Sequence, residues 1–223
     1  MFATPEGQRM LSLLAELLDY PRAGLADKAR ECERLIHRFA PEAAERMSAF
    51  RAFLESTAPA RLEEVYSGFF DLNPLCHPYV GYHLFGETYK RSVFLLGLRQ
   101  RYRARDFAMD AAELPDRLSV VLRFLACCPD DALRNELIDD AVLPALERMG
   151  AAGKANHPPS DAHSCAPELE GHSHGDVLEG GYLLQLIEGD RAKGDTHPYW
   201  DALQTLRLAL SSARGESPAK ATA

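Results

Sequence analysis

Residues 66–91, YSGFFDLNPLCHPYVGYHLFGETYKR, are the part of the chain that decides how it folds. The stretch begins inside a helix, because Leu62, Val65, Tyr66 and Phe69 recur at the i, i+3, i+4, i+7 spacing of a buried stripe. The two closely spaced prolines that follow predict irregular backbone, since a helix cannot continue through them. An aromatic-rich loop comes next, and it must either be enclosed by the core or be exposed to bind something.

Apolar stripes with helical spacing also run along most of the remaining chain. They predict helices that begin near Pro5 (with Thr4 as N-cap), Leu25, Pro41, Pro59, Glu87 and Pro115, a seventh helix that bends at Pro144, and a last one that carries Tyr199, Leu203, Leu206 and Leu210. No alternating Val, Ile and Thr pattern competes with these helices as a strand. The sequence therefore predicts an all-α protein, an irregular single-domain helical bundle.

The composition of the chain changes after the predicted core. Residues 1–150 are predicted to form the helical core, and residues 151–176 a flexible linker rich in His, Pro and Gly. Residues 177–214 are predicted to form a C-terminal helical segment, and residues 215–223 a disordered tail.

Charge and cysteine content limit the environment and the partners of the protein. The 223-residue chain has a formal net charge of −8, which argues against nucleic acid as a partner. Its five cysteines are odd in number and form no CxxC pair, a pattern typical of a reducing compartment. The N-terminus lacks the pattern of a signal peptide, and no apolar run approaches the roughly 18 residues needed to span a membrane. We expect a cytoplasmic protein without direct membrane insertion.

The sequence contains no recognisable catalytic motif. Gly-x-Ser-x-Gly, phosphate-binding glycine loops and HExxH are all absent, so we expect the protein not to be an enzyme and to need no cofactor. Cys76, His77 and His83 lie within one loop and leave open a small helical metal-binding or redox module. Their spacing lacks the tight pairs of a zinc site, and we expect no structural metal. A generic helical interaction domain is a further alternative.

Peptide binding is the activity that the aromatic stretch favours from its residues alone. A helical bundle with such a loop can offer an apolar groove to a helix of another protein. The acidic residues near the stretch could contact a basic peptide; they are Asp71, Glu87, Glu113 and Asp116. Some rings must instead belong to the core, among the set Tyr66, Phe69, Phe70, Tyr82, Leu84 and Phe85.

Three short motifs recur in order along the chain: Tyr66-x-x-x-Phe70-Asp71, then His83-Leu84-Phe85-Gly86-Glu87-Thr88-x-x-Arg91, then Glu113-Leu114-Pro115-Asp116. With them, residues 10 to 130 resemble the NarJ-type assembly chaperones of respiratory nitrate reductase, which belong with the TorD- and DmsD-like chaperones of molybdenum enzymes. Two positions depart from the family pattern. Arg117 stands where a histidine is usual, and Ser92 stands where a glycine is usual.

The resemblance implies a cytoplasmic chaperone with the all-α fold of the molybdoenzyme chaperones. Such a protein would bind the N-terminal segment of the apo catalytic (alpha) subunit of nitrate reductase and support molybdenum cofactor insertion and final assembly. It would not belong to the mature enzyme. Cofactor delivery proteins are a further implied partner class, and another membrane-associated molybdoenzyme is the alternative client, meaning the protein that the chaperone binds. We expect client binding by Tyr66, Phe70, Asp71, Tyr82, His83, Phe85, Glu87, Arg91, Glu113, Asp116, Leu118 and Leu122.

Overall fold

A computed structural model describes residues 1–72, 74–155 and 197–215, and its regular secondary structure is entirely helical. The α-helices are α1 (Pro5–Leu17), α2 (Leu25–Phe39), α3 (Ala44–Ser56), α4 (Pro59–Phe70), α5 (Val80–Phe85), α6 (Tyr89–Arg103), α7 (Leu118–Cys127), α8 (Asp131–Leu137), α9 (Leu143–Ala155) and α10 (Pro198–Ser212). The predicted all-α class is confirmed. Within the described ranges, no helix has the length and apolar character to cross a bilayer.

Helix α1 is the centre of the bundle and packs against both α2 and α7. It begins as predicted, because the Thr4 hydroxyl oxygen accepts a hydrogen bond from the Gly7 N–H at 3.2 Å, and Pro5 takes the first helical position. Its apolar residues are almost fully enclosed: Met10, Leu11, Leu13, Leu14 and Leu17. A helix buried on more than one side in this way fixes the positions of the neighbours that cover it.

Helix α10 returns to the bundle and packs against α3 and α9. It contributes to a cluster of aromatic rings made by Phe50, Tyr66, Phe69, Phe70, Tyr199 and Trp200. The His197 ring stacks on Phe69 with 4.4 Å between centroids, and its Nδ1 accepts a hydrogen bond from the Tyr199 N–H at 3.4 Å. Burial lowers the pKa of His197 to about 4, so this N-cap imidazole is neutral at neutral pH.

The predicted last helix is confirmed, whereas the predicted domain limits stay predictions. Helix α9 continues to Ala155, five residues past the expected end of the core at 150. Residues 156–196 and 216–223 lie outside the described residues. Those ranges contain most of the predicted linker, the first part of the predicted C-terminal segment and nearly all of the predicted tail.

Two local predictions differ from the structure. The aromatic stretch contains the short helix α5, where the sequence predicts a loop. Pro115 does not open a helix; α7 begins only at Leu118, whose N–H donates to the Pro78 carbonyl at 2.8 Å. The bend predicted at Pro144 stays a prediction, and a π-helical segment, Ile138–Val142, lies just before this proline.

Gly81 of α5 supplies the first test of this packing. A Cβ at this position would lie 2.8 Å from Asp116 Oδ2 and 2.9 Å from Phe94 Cδ1, both closer than carbon contacts allow. We expect Gly81→Ala to lower the free energy of unfolding by about 1–3 kcal/mol in urea titrations, because these packed neighbours must move.

The matched control is Gly97→Ala in α6. A Cβ there would meet only the end of the Arg101 side chain, at 3.2 Å. Replacing this helical glycine should leave stability unchanged or raise it by up to about 1 kcal/mol. Equal effects of the two substitutions would contradict the close packing of α5 against the Asp116 segment.

The buried imidazole of His197 makes a second prediction, on pH. Its pKa in the folded state lies below the unfolded value of 6.5, so the unfolded chain binds the proton more readily as the pH falls. Stability should therefore decline between pH 6.5 and pH 4, by up to about 3 kcal/mol from this group at about 1.4 kcal/mol per pKa unit.

His197→Asn retains an N-cap acceptor and should flatten this part of the pH profile, measured by urea unfolding at each pH. The exposed His37 of α2 provides the control, and His37→Asn should keep the original slope. An unchanged slope in His197→Asn would show that His197 is not buried in its neutral form.

Candidate functional site

The chain segments that carry the three motifs lie side by side. Tyr79 and Arg117 form an isolated antiparallel bridge. Beside it, the Val80 N–H donates to the Asp116 carbonyl at 2.8 Å. These contacts hold the start of α5 against the segment that leads into α7.

A buried ion pair fixes the turn between α5 and α6. Arg91 Nε donates to Asp116 Oδ2 at 3.1 Å, and the Asp116 side chain is completely buried. The Arg91 guanidinium also lies over the rings of Tyr79 and Tyr82, at 5.4 and 5.8 Å from their centroids. Burial raises the pKa of Asp116, and the charge of Arg91 opposes this shift. Glu87 lies at i, i+4 spacing from Arg91 in the sequence, yet the structure pairs Arg91 with the distant Asp116.

Arg117 joins three parts of the chain. Its Nη2 donates to the Tyr66 hydroxyl oxygen at 2.7 Å, and its guanidinium forms ion pairs with Glu113 and, at 3.5 Å, with Asp19. Burial raises the pKa of Tyr66, with Arg117 opposing, so the hydroxyl is protonated and acts as an acceptor towards the arginine. The departure from the family pattern at this position thus carries a structural role, because a planar guanidinium can contact several acceptors at once.

Carboxylates outnumber arginines on the surface around Arg117. Asp19 pairs with Arg117 and Arg123, and Glu113 pairs with Arg117, whereas Glu63 and Asp71 are exposed. Burial raises the pKa of Asp71, Arg117 lowers it, and the nearby negative charge of Glu113 raises it further. A hydrogen bond to the Glu63 carboxylate raises the pKa of the Tyr20 hydroxyl, and Asp71 adds to that shift. We call this surface the acidic rim and define it by Asp19, Glu63, Asp71 and Glu113.

Two apolar side chains are exposed at the acidic rim. Leu72, which follows Asp71 directly, is 70% exposed, and Tyr20 is 42% exposed. The Tyr20 ring packs edge-on against Tyr66, with 5.6 Å between centroids. The rim therefore combines negative charge with accessible apolar area, which suits a basic peptide that also carries apolar side chains.

The cysteine and histidine residues of the loop are engaged with one another and with backbone. His83 Nε2 lies 2.8 Å from the His77 carbonyl oxygen and 4.0 Å from Cys76 Sγ. Burial lowers the pKa of His83 and raises that of Cys76 to about 12, so at neutral pH the thiol is not ionised. Across the described ranges, no group of three or more His, Cys, Asp or Glu side chains is placed to hold a metal ion.

The predicted client-binding residues divide by burial. The buried ones are Tyr66, Phe70, Asp116, Leu118 and Leu122. Those partly exposed are Tyr82, His83, Phe85, Arg91 and Glu113, and those exposed are Asp71 and Glu87. Of the six-residue aromatic and leucine set, Tyr66, Phe69 and Phe70 lie in the core, while the α5 members reach the surface.

Sequence reasoning missed several residues of this surface. Arg117 was noted only as a departure from a family pattern, and Tyr20, Leu72 and Tyr79 were not chosen. The sequence offered one signal for Leu72, a large apolar residue beside an aspartate in a proline-broken turn. The closeness of Tyr20 to the rim depends on the packing of α1 and had no local signal.

Comparison with known proteins places these features in a family context. A family model described as nitrate reductase delta subunit matches residues 36–149, slightly more than half of the chain. That range contains the Tyr79–Arg117 bridge, the Arg91–Asp116 pair and all of α5 and α6.

Individual relatives are also similar. A Bacillus subtilis (strain 168) protein, the probable nitrate reductase molybdenum cofactor assembly chaperone NarJ, is 32% identical over 136 residues, covering 59% of this chain and 72% of that protein. The nitrate reductase molybdenum cofactor assembly chaperone NarJ of Escherichia coli (strain K12) is 27% identical over 139 residues. That match covers 61% of this chain and 59% of the Escherichia coli protein, less than two thirds of its length.

The hydrogen bond between Arg117 and Tyr66 can be measured with a double-mutant cycle. Tyr66→Phe, Arg117→Met and the double variant should give a coupling free energy of about 1.5–3 kcal/mol in urea unfolding, the range for hydrogen bonds to charged groups.

Tyr199→Phe is the matched control for this cycle. Tyr199 lies in the same aromatic cluster, but its buried hydroxyl has no hydrogen-bond partner among the described residues. Its coupling to Arg117→Met should be near zero. If the coupling free energy with Arg117→Met is no larger for Tyr66→Phe than for Tyr199→Phe, the hydrogen bond between Arg117 and the Tyr66 hydroxyl does not contribute to stability.

Proposed function

Because the chain belongs to the nitrate reductase delta subunit family, we propose that it is a non-enzymatic cytoplasmic chaperone for nitrate reductase assembly. It binds the apo catalytic subunit and supports molybdenum cofactor insertion, without becoming part of the mature enzyme. The names of the Bacillus subtilis and Escherichia coli relatives support the assembly role.

The finer proposal is that the client binds through its N-terminal segment at the acidic rim. One observation carries this choice: the rim is the place where the motif-bearing segments expose both carboxylates and apolar side chains. Asp71 and Leu72 are exposed there, whereas several of the other candidate residues are buried. Tyr82, His83 and Phe85 extend the surface from the rim along α5.

Buried candidates take a supporting role in this proposal. Asp116 and Arg91 hold α5 against the segment that leads into α7, and Tyr66 positions Arg117 beneath the rim. Leu118 and Leu122 belong to the apolar core of α7. Rigid support of this kind lowers the entropy lost when a ligand binds, because the surface is already ordered.

Linkage explains how binding would assist assembly. A partner that binds only the open, cofactor-free form of the client raises the population of that form by its differential affinity. Once the cofactor is inserted and the client closes, the chaperone loses its site and dissociates. Cofactor delivery proteins are the further partners that this sequence of events requires.

Two alternatives remain beside this proposal. A related membrane-associated molybdoenzyme could be the client, since the rim recognises charge and apolar area rather than one enzyme. The metal-binding module built on Cys76, His77 and His83 is less well supported, because His83 bonds the His77 carbonyl and the Cys76 thiol is un-ionised.

The test uses a synthetic peptide with the N-terminal sequence of the nitrate reductase catalytic subunit from the same organism. We expect Asp71→Lys and Glu87→Lys each to weaken binding by about threefold to tenfold, measured by fluorescence anisotropy. The loss should be larger at low salt than at high salt, because exposed charges are screened.

Glu45→Lys, at an exposed position of α3, makes the same charge change on a different helix and should leave the affinity close to wild type. A salt-independent loss accompanied by a lower melting temperature would assign Asp71 a structural role. Failure of the wild-type protein to bind the peptide at all would contradict the proposed client site.

A further inference from the structure

Helix α6 has an apolar face that the rest of the described chain leaves uncovered. On the side of α6 that faces the bundle, Leu98 and Tyr102 are buried. On the opposite side, Tyr89 is 82% exposed, Val93 52% and Leu96 59%. Their i, i+4, i+7 spacing places these three residues in one stripe along the helix.

The exposure is concentrated on this helix and is not scattered over the protein. Five large apolar side chains are exposed in the described ranges, and three of them form the α6 stripe. A single exposed leucine needs no explanation, but a contiguous apolar patch marks a site that another molecule covers.

The charge around the stripe is positive. Helix α6 contains no Asp or Glu, although the whole chain has a net charge of −8. Its arginines that face the bundle are neutralised, by the pairs Arg91–Asp116, Arg101–Glu136 and Arg105–Asp130, the last just beyond the helix end.

Three cations beside the stripe behave differently. Lys90, Arg99 and Arg103 are exposed, and none of their side chains has a hydrogen bond or ion pair within the described part of the chain. At 100° per residue, Lys90 lies on one flank of the stripe while Arg99 and Arg103 lie on the other. Unpaired cations on both sides of an apolar stripe complement a helix that carries carboxylates on both sides of its own.

Depressions at both ends of α6 extend this surface. One of about 480 Å³ is lined by Leu84, Phe85 and Tyr89 with Thr88 and Lys90. Another of about 300 Å³ lies at the other end, where Arg99 and Arg103 border an apolar floor that includes Phe107 and Met109. Two carboxylates, those of Asp110 and Glu113, also line this second depression. The distance from Tyr89 to Arg103 along the helix is about 21 Å at 1.5 Å per residue, which matches roughly four turns of a second helix.

We propose that the outer face of α6 binds an acidic amphipathic helix of another protein. The apolar stripe of that helix covers Tyr89, Val93 and Leu96, and its carboxylates pair with Lys90, Arg99 and Arg103. This site is centred on α6 and has the opposite charge to the acidic rim, and the two surfaces border each other at Phe85 and Glu113. It therefore accepts a different segment from the basic one proposed for the rim.

The probe is a designed 15-residue amphipathic peptide with a leucine stripe flanked by glutamates, compared with the same peptide carrying lysines in their place. Anisotropy titrations use the full-length chain. We expect the glutamate peptide to bind at least about tenfold more tightly than the lysine peptide, with the difference shrinking as salt is raised.

Two variants separate the apolar and the charged contributions. Val93→Ser with Leu96→Ser removes exposed apolar area, and Arg99→Glu with Arg103→Glu reverses two exposed charges. Each double variant should weaken binding of the glutamate peptide by at least about tenfold. In addition, Arg99→Glu with Arg103→Glu should make the lysine peptide bind more tightly than the glutamate peptide. Because all four side chains are partly or largely exposed, circular dichroism and the melting temperature should stay at wild-type values.

Asp71→Lys at the acidic rim is the control and should leave the glutamate peptide unaffected. Equal binding of both peptides, or no binding of either, would overturn the proposal. A concentration-dependent dimer that Val93→Ser with Leu96→Ser converts to a monomer would also overturn it, because a second copy of the chain would then cover the face. Failure of the wild-type protein to bind the client peptide, with intact glutamate-peptide binding, would refute the rim proposal alone.

Discussion

The contact between the Pro78–Val80 turn and the Asp116–Leu118 segment is the constraint on which the surface of the protein depends. Two backbone hydrogen bonds of 2.8 Å join these segments, and the Asp116 side chain beneath them is buried against Arg91. A carboxylate removed from water in this way is stable only with its partner in place, so neither residue can be lost alone without a large penalty. One short contact therefore sets the positions of α5, of the start of α6 and of the start of α7.

The consequence is a separation of charge between two surfaces. Carboxylates gather around Arg117 at the acidic rim, while α6 carries only basic and neutral side chains. Charged residues at the edge of a binding surface mainly determine which ligand is selected and how fast it associates. They have less influence on how tightly the ligand is bound. A protein that must receive an unfinished enzyme can use opposite charges to keep different segments on different surfaces.

Helices with regular apolar stripes could be predicted from the sequence, and α1, α2, α4 and α10 appear where the stripes place them. Helix α5 was hidden because it is six residues long and follows two prolines. The start of α7 was placed too early, since Pro115 has the local features of a helix start while its neighbours pair with a distant turn. Rules based on local sequence consider only residues that are close along the chain. Here, contacts between residues far apart in the sequence determine where α7 begins.

The candidate site shows the same limit. The sequence could not tell which rings of the aromatic stretch belong to the core, because Phe70 and Phe85 have the same chemistry, yet Phe70 is buried and Phe85 is partly exposed. The partner of Arg91 has no local signal either, because the folded chain pairs it with Asp116, 25 positions later. Exposure and long-range partners are properties of the packed chain, which explains why the acidic rim emerged only from the structure.

Arg148 of α9 adds a mechanical consequence. Its guanidinium donates to the carbonyl oxygens of His83 and Leu84, both at 2.7 Å, and so terminates α5 from a neighbouring helix. A six-residue helix has little stability of its own, so its orientation is set by the elements that hold its two ends. A ligand that tilts α5 must stretch these bonds and thereby pull on α9. The orientation of α5 therefore depends on the position of α9, through the two hydrogen bonds of Arg148.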